Sequence, residues 1–211
     1  MQNTDMNILE NGLQTLGLTI SKKQVGKLCD YITTLQKWNK SFNLTAITDT
    51  KKIIIDHILD SLGIHKYITE KSYIDVGTGA GLPGIPLAIC LPKTRFTLLD
   101  SSHKRTVFLT HLKNKLGLKN IEVIYHNAKT FTPKSPYDAV ITRAFSNIQN
   151  MLDVTKHLCK PKGYFLAMKA NVTDEEIASI QKNTTNTLEN IYDLEIPQQH
   201  KVRKLVVLRN V

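Results

Sequence analysis

The residues best suited to chemistry cluster in one decapeptide. Asp75-Val76-Gly77-Thr78-Gly79-Ala80-Gly81-Leu82-Pro83-Gly84 follows a short apolar run and precedes a segment of helical length. Glycine is needed where a chain turns sharply and where backbone must approach a ligand closely. Ligands of open α/β sheets gather at the carboxyl ends of strands, where this loop falls. Gly79-x-Gly81-x-x-Gly84 fits the spacing that seats a dinucleotide pyrophosphate on a helix N-terminus. The longer pattern begins with an acid, Asp75, which would repel pyrophosphate and attract a cationic amino group. A glycine turn with no ligand is the third reading. About twenty residues beyond the loop, the run Leu98-Leu99 ends in Asp100. A carboxylate there can accept from both hydroxyls of a ribose, or cap the helix that starts after Ser101-Ser102. Arg143 also follows a strand. Its fork of donors suits a carboxylate or a phosphate, with a structural ion pair as the competing use.

The elements that must position these residues change character along the chain. Residues 1–70 have helical periodicity. Ser21 and Gln24 have the spacing of a capping box, after which Val25, Leu28, Ile32 and Leu35 share one face. Asp49 is a second N-cap, opening a helix with Ile53, Ile54, His57, Ile58 and Leu62. His57 and Asp60 lie on one face of it and suit either substrate contact or, the favoured reading, attachment of the helices to a sheet. From Tyr73 the pattern alternates strand and helix. Strands are expected at Tyr73–Val76, Phe96–Leu99, Ile121–Tyr125, Ala139–Ile141 and Tyr164–Met168, with helices such as Lys104–Leu116 and Ile148–Leu158 between them. Ile191–Ile196 and Lys204–Leu208 have no helix between them and should pair antiparallel, adding to the end of a parallel sheet.

With 211 residues, the chain is long enough for one α/β domain and a modest addition. No run of about 18 apolar residues is present, so no membrane-spanning helix and no membrane partner are expected. The N-terminus lacks the pattern of a secretory signal. Cys29, Cys90 and Cys159 are scattered, which argues against a disulfide framework or a metal site and for free thiols in the cytoplasm. The formal net charge of +10 favours a polyanion such as nucleic acid, although Lys-rich composition alone could produce it. Lys104 and Arg105, Lys169, and the cluster Lys201, Arg203 and Lys204 are then candidate phosphate contacts. Phe145 is a candidate to stack on a flipped-out base, or to pack in the core.

The acid-x-Gly-x-Gly-x-Gly pattern resembles the first motif of class I methyltransferases, whose loop wraps the methionine and ribose of S-adenosyl-L-methionine. Further blocks narrow the resemblance. Trp38–Thr45 (WNKSFNLT), His57–Leu62 (HILDSL), Ile74–Pro86 (IDVGTGAGLPGIP), Thr97–Asp100 (TLLD), Lys104-Arg105, Thr142–Phe145 (TRAF) and Ala167–Lys169 (AMK) occur in this order. Together they resemble the small-subunit (16S) ribosomal RNA guanine-N7 methyltransferase family, also called glucose-inhibited division protein B, from about Leu28 to the C-terminus. The resemblance implies a doubly wound, mostly parallel seven-stranded α/β sheet with an antiparallel C-terminal strand. A helical region, 1–70, would precede the cofactor-binding domain, 71–211. It further implies S-adenosyl-L-methionine contacts at Gly77, Leu82, the Ala128-Lys129 pair and Arg143, alongside Asp75, Gly79, Gly81 and Asp100. Arg143, Phe145, Lys169, Lys104 and Arg105 are the candidates for RNA. Two positions depart from the family: Lys129 stands where it usually has Glu, and Ala170 where it often has Gly.

The chemistry implied is undemanding of catalytic side chains. Guanine N7 has a free lone pair and no proton, so in-line attack on a sulfonium methyl group needs orientation and no general base. An exocyclic-amine methylase would show an Asn/Asp-Pro-Pro-aromatic turn after the fourth strand, where this chain has Thr142-Arg143-Ala144-Phe145. Neither Cys90 nor Cys159 is placed as a pyrimidine-C5 nucleophile, and Arg143 occupies the region where a ribose methylase would have its Asp. The expected partner is small-subunit ribosomal RNA, naked or within a subunit or assembly intermediate, met by a monomer. Two other functions remain open at this point: an NAD(P)-dependent oxidoreductase, and an RNA-binding module with an inactive cofactor loop.

Overall fold

The computed structural model describes residues 2–181, 186–199 and 202–211. Lys201, one of the candidate phosphate contacts, lies outside them. The first helix, α1 (Asn3–Thr15), is followed by α2 (Lys22–Phe42). The Ser21 side chain accepts from the Gln24 amide and the Gln24 side chain accepts from the Ser21 amide, the reciprocal cap expected from the sequence. The same Gln24 side chain donates to the carbonyls of Ile89 and Cys90, so the cap also docks α2 on the α/β layer.

Asp49 caps the next helix, accepting from the Lys52 amide at 2.9 Å. The sequence predicts one regular helix here. Instead α3 (Thr50–Ile53) passes into a π-helical segment (Ile54–Leu59) and then α4 (Asp60–Leu62). Ile53, Ile54, Ile55, His57, Ile58, Leu59 and Asp60 are all buried. A helix buried on nearly every side is held by its neighbours, and a π turn re-aims the residues that follow it.

Seven strands form one sheet in the order β3-β2-β1-β4-β5-β7-β6. They are β1 (Ser72–Val76), β2 (Arg95–Asp100), β3 (Ile121–Tyr125), β4 (Tyr137–Thr142), β5 (Cys159–Lys169), β6 (Asn186–Leu194) and β7 (Arg203–Asn210). The helices between them are α5 (Gly84–Cys90), α6 (His103–Leu116), α7 (Ile148–Thr155) and α8 (Asp174–Gln181). The first five strands pair in parallel. The C-terminal strand is antiparallel, as expected, but it does not sit at the edge of the sheet. β7 inserts between β5 and β6 and pairs antiparallel with both. Composition explains the placement. Leu205, Val206 and Leu208 are fully buried and suit a central strand. β6 carries Thr187, Glu189, Asn190 and Asp193, polar residues that suit an edge. α8 has no counterpart in the sequence reading.

The N-terminal helices and the sheet share a core. Leu9, Leu28, Ile32, Leu35, Ile54 and Ile58 belong to the same buried cluster as Leu98, Phe108 and Leu112. A second cluster on the opposite face joins Ile74, Leu99, Val140 and Phe165 to Ile148, Leu152 and Ile180. Phe108, fully buried on α6, also meets the Trp38 ring of α2 at 5.6 Å between centroids. Truncation there opens a cavity between helices and sheet. Phe108→Ala is expected to lower stability by about 3–5 kcal/mol in urea titration.

Candidate cofactor and substrate site

The loop after β1 is held by one carboxylate. Asp75 is fully buried, and its Oδ2 accepts from the Thr78 hydroxyl at 2.7 Å and the Gly84 amide at 2.9 Å. It thus joins the start of the loop to the first turn of α5. A Cβ on Gly84 would lie 2.8 Å from that same oxygen and 2.3 Å from a Leu98 methyl, so only glycine lets the helix approach the strand. Gly77, Gly79 and Gly81 have φ of 69°, 61° and 89°, in the left-handed region that side chains disfavour.

Asp100 closes the other side. Its Oδ2 accepts from the Gly79 amide at 2.9 Å, and its Oδ1 accepts from the Ser102 amide at 2.8 Å. The two uses left open by the sequence therefore meet in one residue, which faces the glycine loop and also receives the entry to α6. Arg105 lies 3.5 Å from Asp100, so it has an anion within the protein, whereas Lys104 is exposed. The His126 amide donates to the Asp100 carbonyl, which brings the turn containing Ala128 and Lys129 to the same end of the sheet. Ala128 packs on the second core, and the Lys129 amide donates to Asn127 Oδ1. Leu82 is buried in the loop itself. The structure thus brings Asp75, the three glycines, Leu82, Asp100 and the 128–129 turn together.

S-adenosylmethionine fits this cradle on two observations. The second oxygen of Asp75, Oδ1, is buried and has no hydrogen-bond partner among the described residues. A Cβ on Gly79 would have nothing closer than the Gly77 carbonyl at 4.0 Å, so the loop leaves open space in front of it.

Arg143, at the end of β4, lies beside this cradle. Ala144 follows it, and a Cβ on Gly77 would be 2.7 Å from that of Ala144, so the two loops touch. Asp60, buried at the end of the π segment, is bracketed by two arginines, Arg143 at 3.0 Å and Arg203 of β7 at 2.9 Å. Arg143 therefore has a structural ion pair and borders the site as well. The opening it borders is a cavity of about 430 Å³, lined also by Phe145, Ser146, Lys169, Asn171 and Arg203. Phe145 is half-buried, with part of its ring on the second core. Lys169 is turned to partners inside the protein: Glu176 of α8 at 2.5 Å and the Ser146 carbonyl. His57 bonds Thr45 Oγ1 at 2.8 Å and the Asp56 carbonyl at 3.1 Å, holding helix to loop.

Two contacts carry no sequence signal. The Tyr31 hydroxyl, fully buried, donates to the Ala80 carbonyl at 3.0 Å and ties α2 to the glycine loop. Glu176 lies in the first turn of α8, a helix that the sequence pattern does not announce.

A family model described as rRNA small subunit methyltransferase G (GidB) matches residues 24–207. The chain belongs to this family. It is 44% identical over 198 residues to the ribosomal RNA small subunit methyltransferase G of Hydrogenovibrio crunogenus, covering 94% of this chain and 91% of that protein. It is 41% identical over 203 residues to the protein of the same name from Yersinia pseudotuberculosis, covering 96% and 98%. Among solved structures, a SAM-dependent methyltransferase from Aquifex aeolicus superposes with TM-score 0.58 at 21% identity, covering 83% of this chain and 97% of that one. An O-methyltransferase from Bacillus cereus in complex with SAH gives 0.59 at 14% identity, covering 86% and 91%. These likenesses show the class I methyltransferase fold. The protein is an S-adenosylmethionine-dependent methyltransferase, and the oxidoreductase and inactive-loop readings fall away.

Burial sets the electrostatics. It raises the Asp75 carboxyl to about 6, against the pull of Thr78, Gly84 and Arg143. It lowers His57 to about 4, with Arg143 adding to the effect. A carboxyl with a raised native pKa stabilises the fold below its unfolded value, and that contribution is lost as pH rises through about 6. A histidine held low acts in the opposite sense: its stabilisation is present above its unfolded pKa and is lost as pH falls toward about 4. Asp75→Asn removes only the first effect. In cofactor-free protein its stability relative to wild type should be more favourable at pH 8 than at pH 4 by about 3 kcal/mol. A pH-independent difference in urea titrations would show that burial leaves the Asp75 carboxyl at its unfolded pKa.

Proposed function

We propose that this protein transfers the methyl group of S-adenosylmethionine to N7 of a guanine in 16S ribosomal RNA. The observation that supports the reading is the contact between the two loops at Gly77 and Ala144, the latter also lining the cavity with Arg143 and Phe145. The relatives' shared name, ribosomal RNA small subunit methyltransferase G, supports the RNA.

Asp75, Gly77, Gly79, Gly81 and Leu82 would hold the methionine portion, Asp100 the ribose, and the backbone at Ala128 and Lys129 the adenine. When bound, the cofactor supplies a methyl group on a sulfonium centre. The protein's task is to bind and orient, because N7 carries no proton to be removed. Phe145 offers a ring face to an extruded base. Arg143 keeps its guanidinium at the mouth of the cradle, held by Asp60. Exposed Lys104, and Arg105 beside it, would meet phosphates. We further propose that the enzyme works as a monomer in the cytoplasm.

Purified protein with labelled cofactor and small-subunit RNA lacking the modification should yield labelled 7-methylguanine at one position. Comparing naked RNA with the assembled subunit identifies the preferred form. Absence of 7-methylguanine on both would end the proposal. Gly79→Ala tests the cradle separately. Its Cβ enters open space at a left-handed φ, so stability should fall by only about 1 kcal/mol. Cofactor affinity, measured by calorimetry, should fall at least tenfold.

A further inference from the structure

Lys169 has the look of an RNA contact, since it lines the cavity beside Arg143 and Phe145. Its bonds point elsewhere. The ammonium is 2.5 Å from the Glu176 carboxylate and also donates to the Ser146 carbonyl. The same oxygen of Glu176 accepts from the Ile148 amide at 2.9 Å. Both side chains are largely withdrawn from water, at 7% exposure for Lys169 and 10% for Glu176.

These bonds form a closed arrangement. Lys169 ends β5 and Glu176 lies in the first turn of α8. Ser146 and Ile148 bracket the entry to α7, whose cap, Asn147, accepts from the Asn150 amide. The segment from Arg143 to Asn147 is therefore fixed at its start by β4 and the Asp60 ion pair. It is fixed at its end by Lys169 and Glu176. This segment carries Arg143, Phe145 and the Ala144 that abuts Gly77. A charge pair of this kind is costly to desolvate, and replacing both charges by neutral groups of similar volume is often close to neutral for stability. What the pair gives is a fixed geometry for the loop.

We infer that Glu176 is a positioning residue for methyl transfer. Acting through Lys169, Ser146 and Ile148, it holds the Arg143–Phe145 loop in register with the glycine loop, and Lys169 is part of this staple, not a phosphate contact. The inference rests on the proposed function only in taking the cavity as the place of the substrate base.

The test uses Glu176→Gln, Lys169→Met and the double variant, which removes both charges and keeps the fold where a single variant leaves a buried charge unpaired. The double variant should melt within a few degrees of wild type and bind cofactor within twofold of its affinity. Its kcat/KM for RNA should fall about tenfold or more. Each single variant should lose no less, and the losses should be far from additive. Hydrogen exchange at the amides of residues 144–148 should speed at least fivefold in the double variant, a readout independent of turnover. If Lys169 instead grips phosphate, Glu176→Gln will free it and tighten RNA binding while Lys169→Met weakens it, and the inference is overturned. Unchanged exchange at 144–148 overturns it as well. A wild-type enzyme that methylates no RNA defeats the proposed function, and the exchange result still decides the staple.

Discussion

The site depends on a carboxylate taken out of water. Asp75 is fully buried, yet one of its oxygens receives both a hydroxyl and the amide that opens α5. Burying an ionisable group is unfavourable unless hydrogen bonds offset it. Here they do so in part, and the carboxyl rises to about 6 as a result. In return, the loop is fixed in a shape that its three left-handed glycines permit and that no hydrophobic contact could specify. The other oxygen, without a partner among the described residues, is the remainder of that arrangement.

Around this centre the protein uses buried charge repeatedly to join elements that are distant in sequence. Asp60 pairs with Arg143 just past β4 and with Arg203 of β7, Asp100 joins the glycine loop to α6, and Glu176 joins α8 to β5 and α7. Each link ends at the carboxyl edge of the sheet. Apolar packing gives the molecule its two cores, but it is tolerant of small shifts. Charge pairs, most of them hydrogen-bonded, fix direction, which a reaction governed by alignment requires. Tyr31 extends the same logic to the helical region, whose hydroxyl contact reaches the middle of the cofactor loop.

The sequence made much of this legible. The capping box at Ser21, the N-cap at Asp49, the limits of β3 and the loop from Asp75 to Gly84 all follow from local rules of spacing and propensity. Such features depend on neighbours within a few residues. The π-helical segment was not legible, because an apolar run with Ile53, Ile54, Ile55 and Ile58 fits several helical phases equally well. Neither was the seating of β7 between β5 and β6, since strand order involves pairings that local pattern does not encode.

The sequence by itself determined the class of cofactor loop, the alternation of strands and helices from β1 to β5, and the family to which the chain belongs. Tertiary structure alone decided which charges are available. Arg203, Arg105 and Lys169 read as candidate phosphate contacts and Arg143 as a ligand contact or an ion pair, and folding gives each an anion: Asp60 for Arg143 and Arg203, Asp100 for Arg105 and Glu176 for Lys169. The reason is physical. Residue type fixes a side chain's charge, but its partner and its exposure are set by how the elements pack: Lys169 is withdrawn from water with Glu176, whereas Arg105 keeps 40% of its side chain exposed beside Asp100.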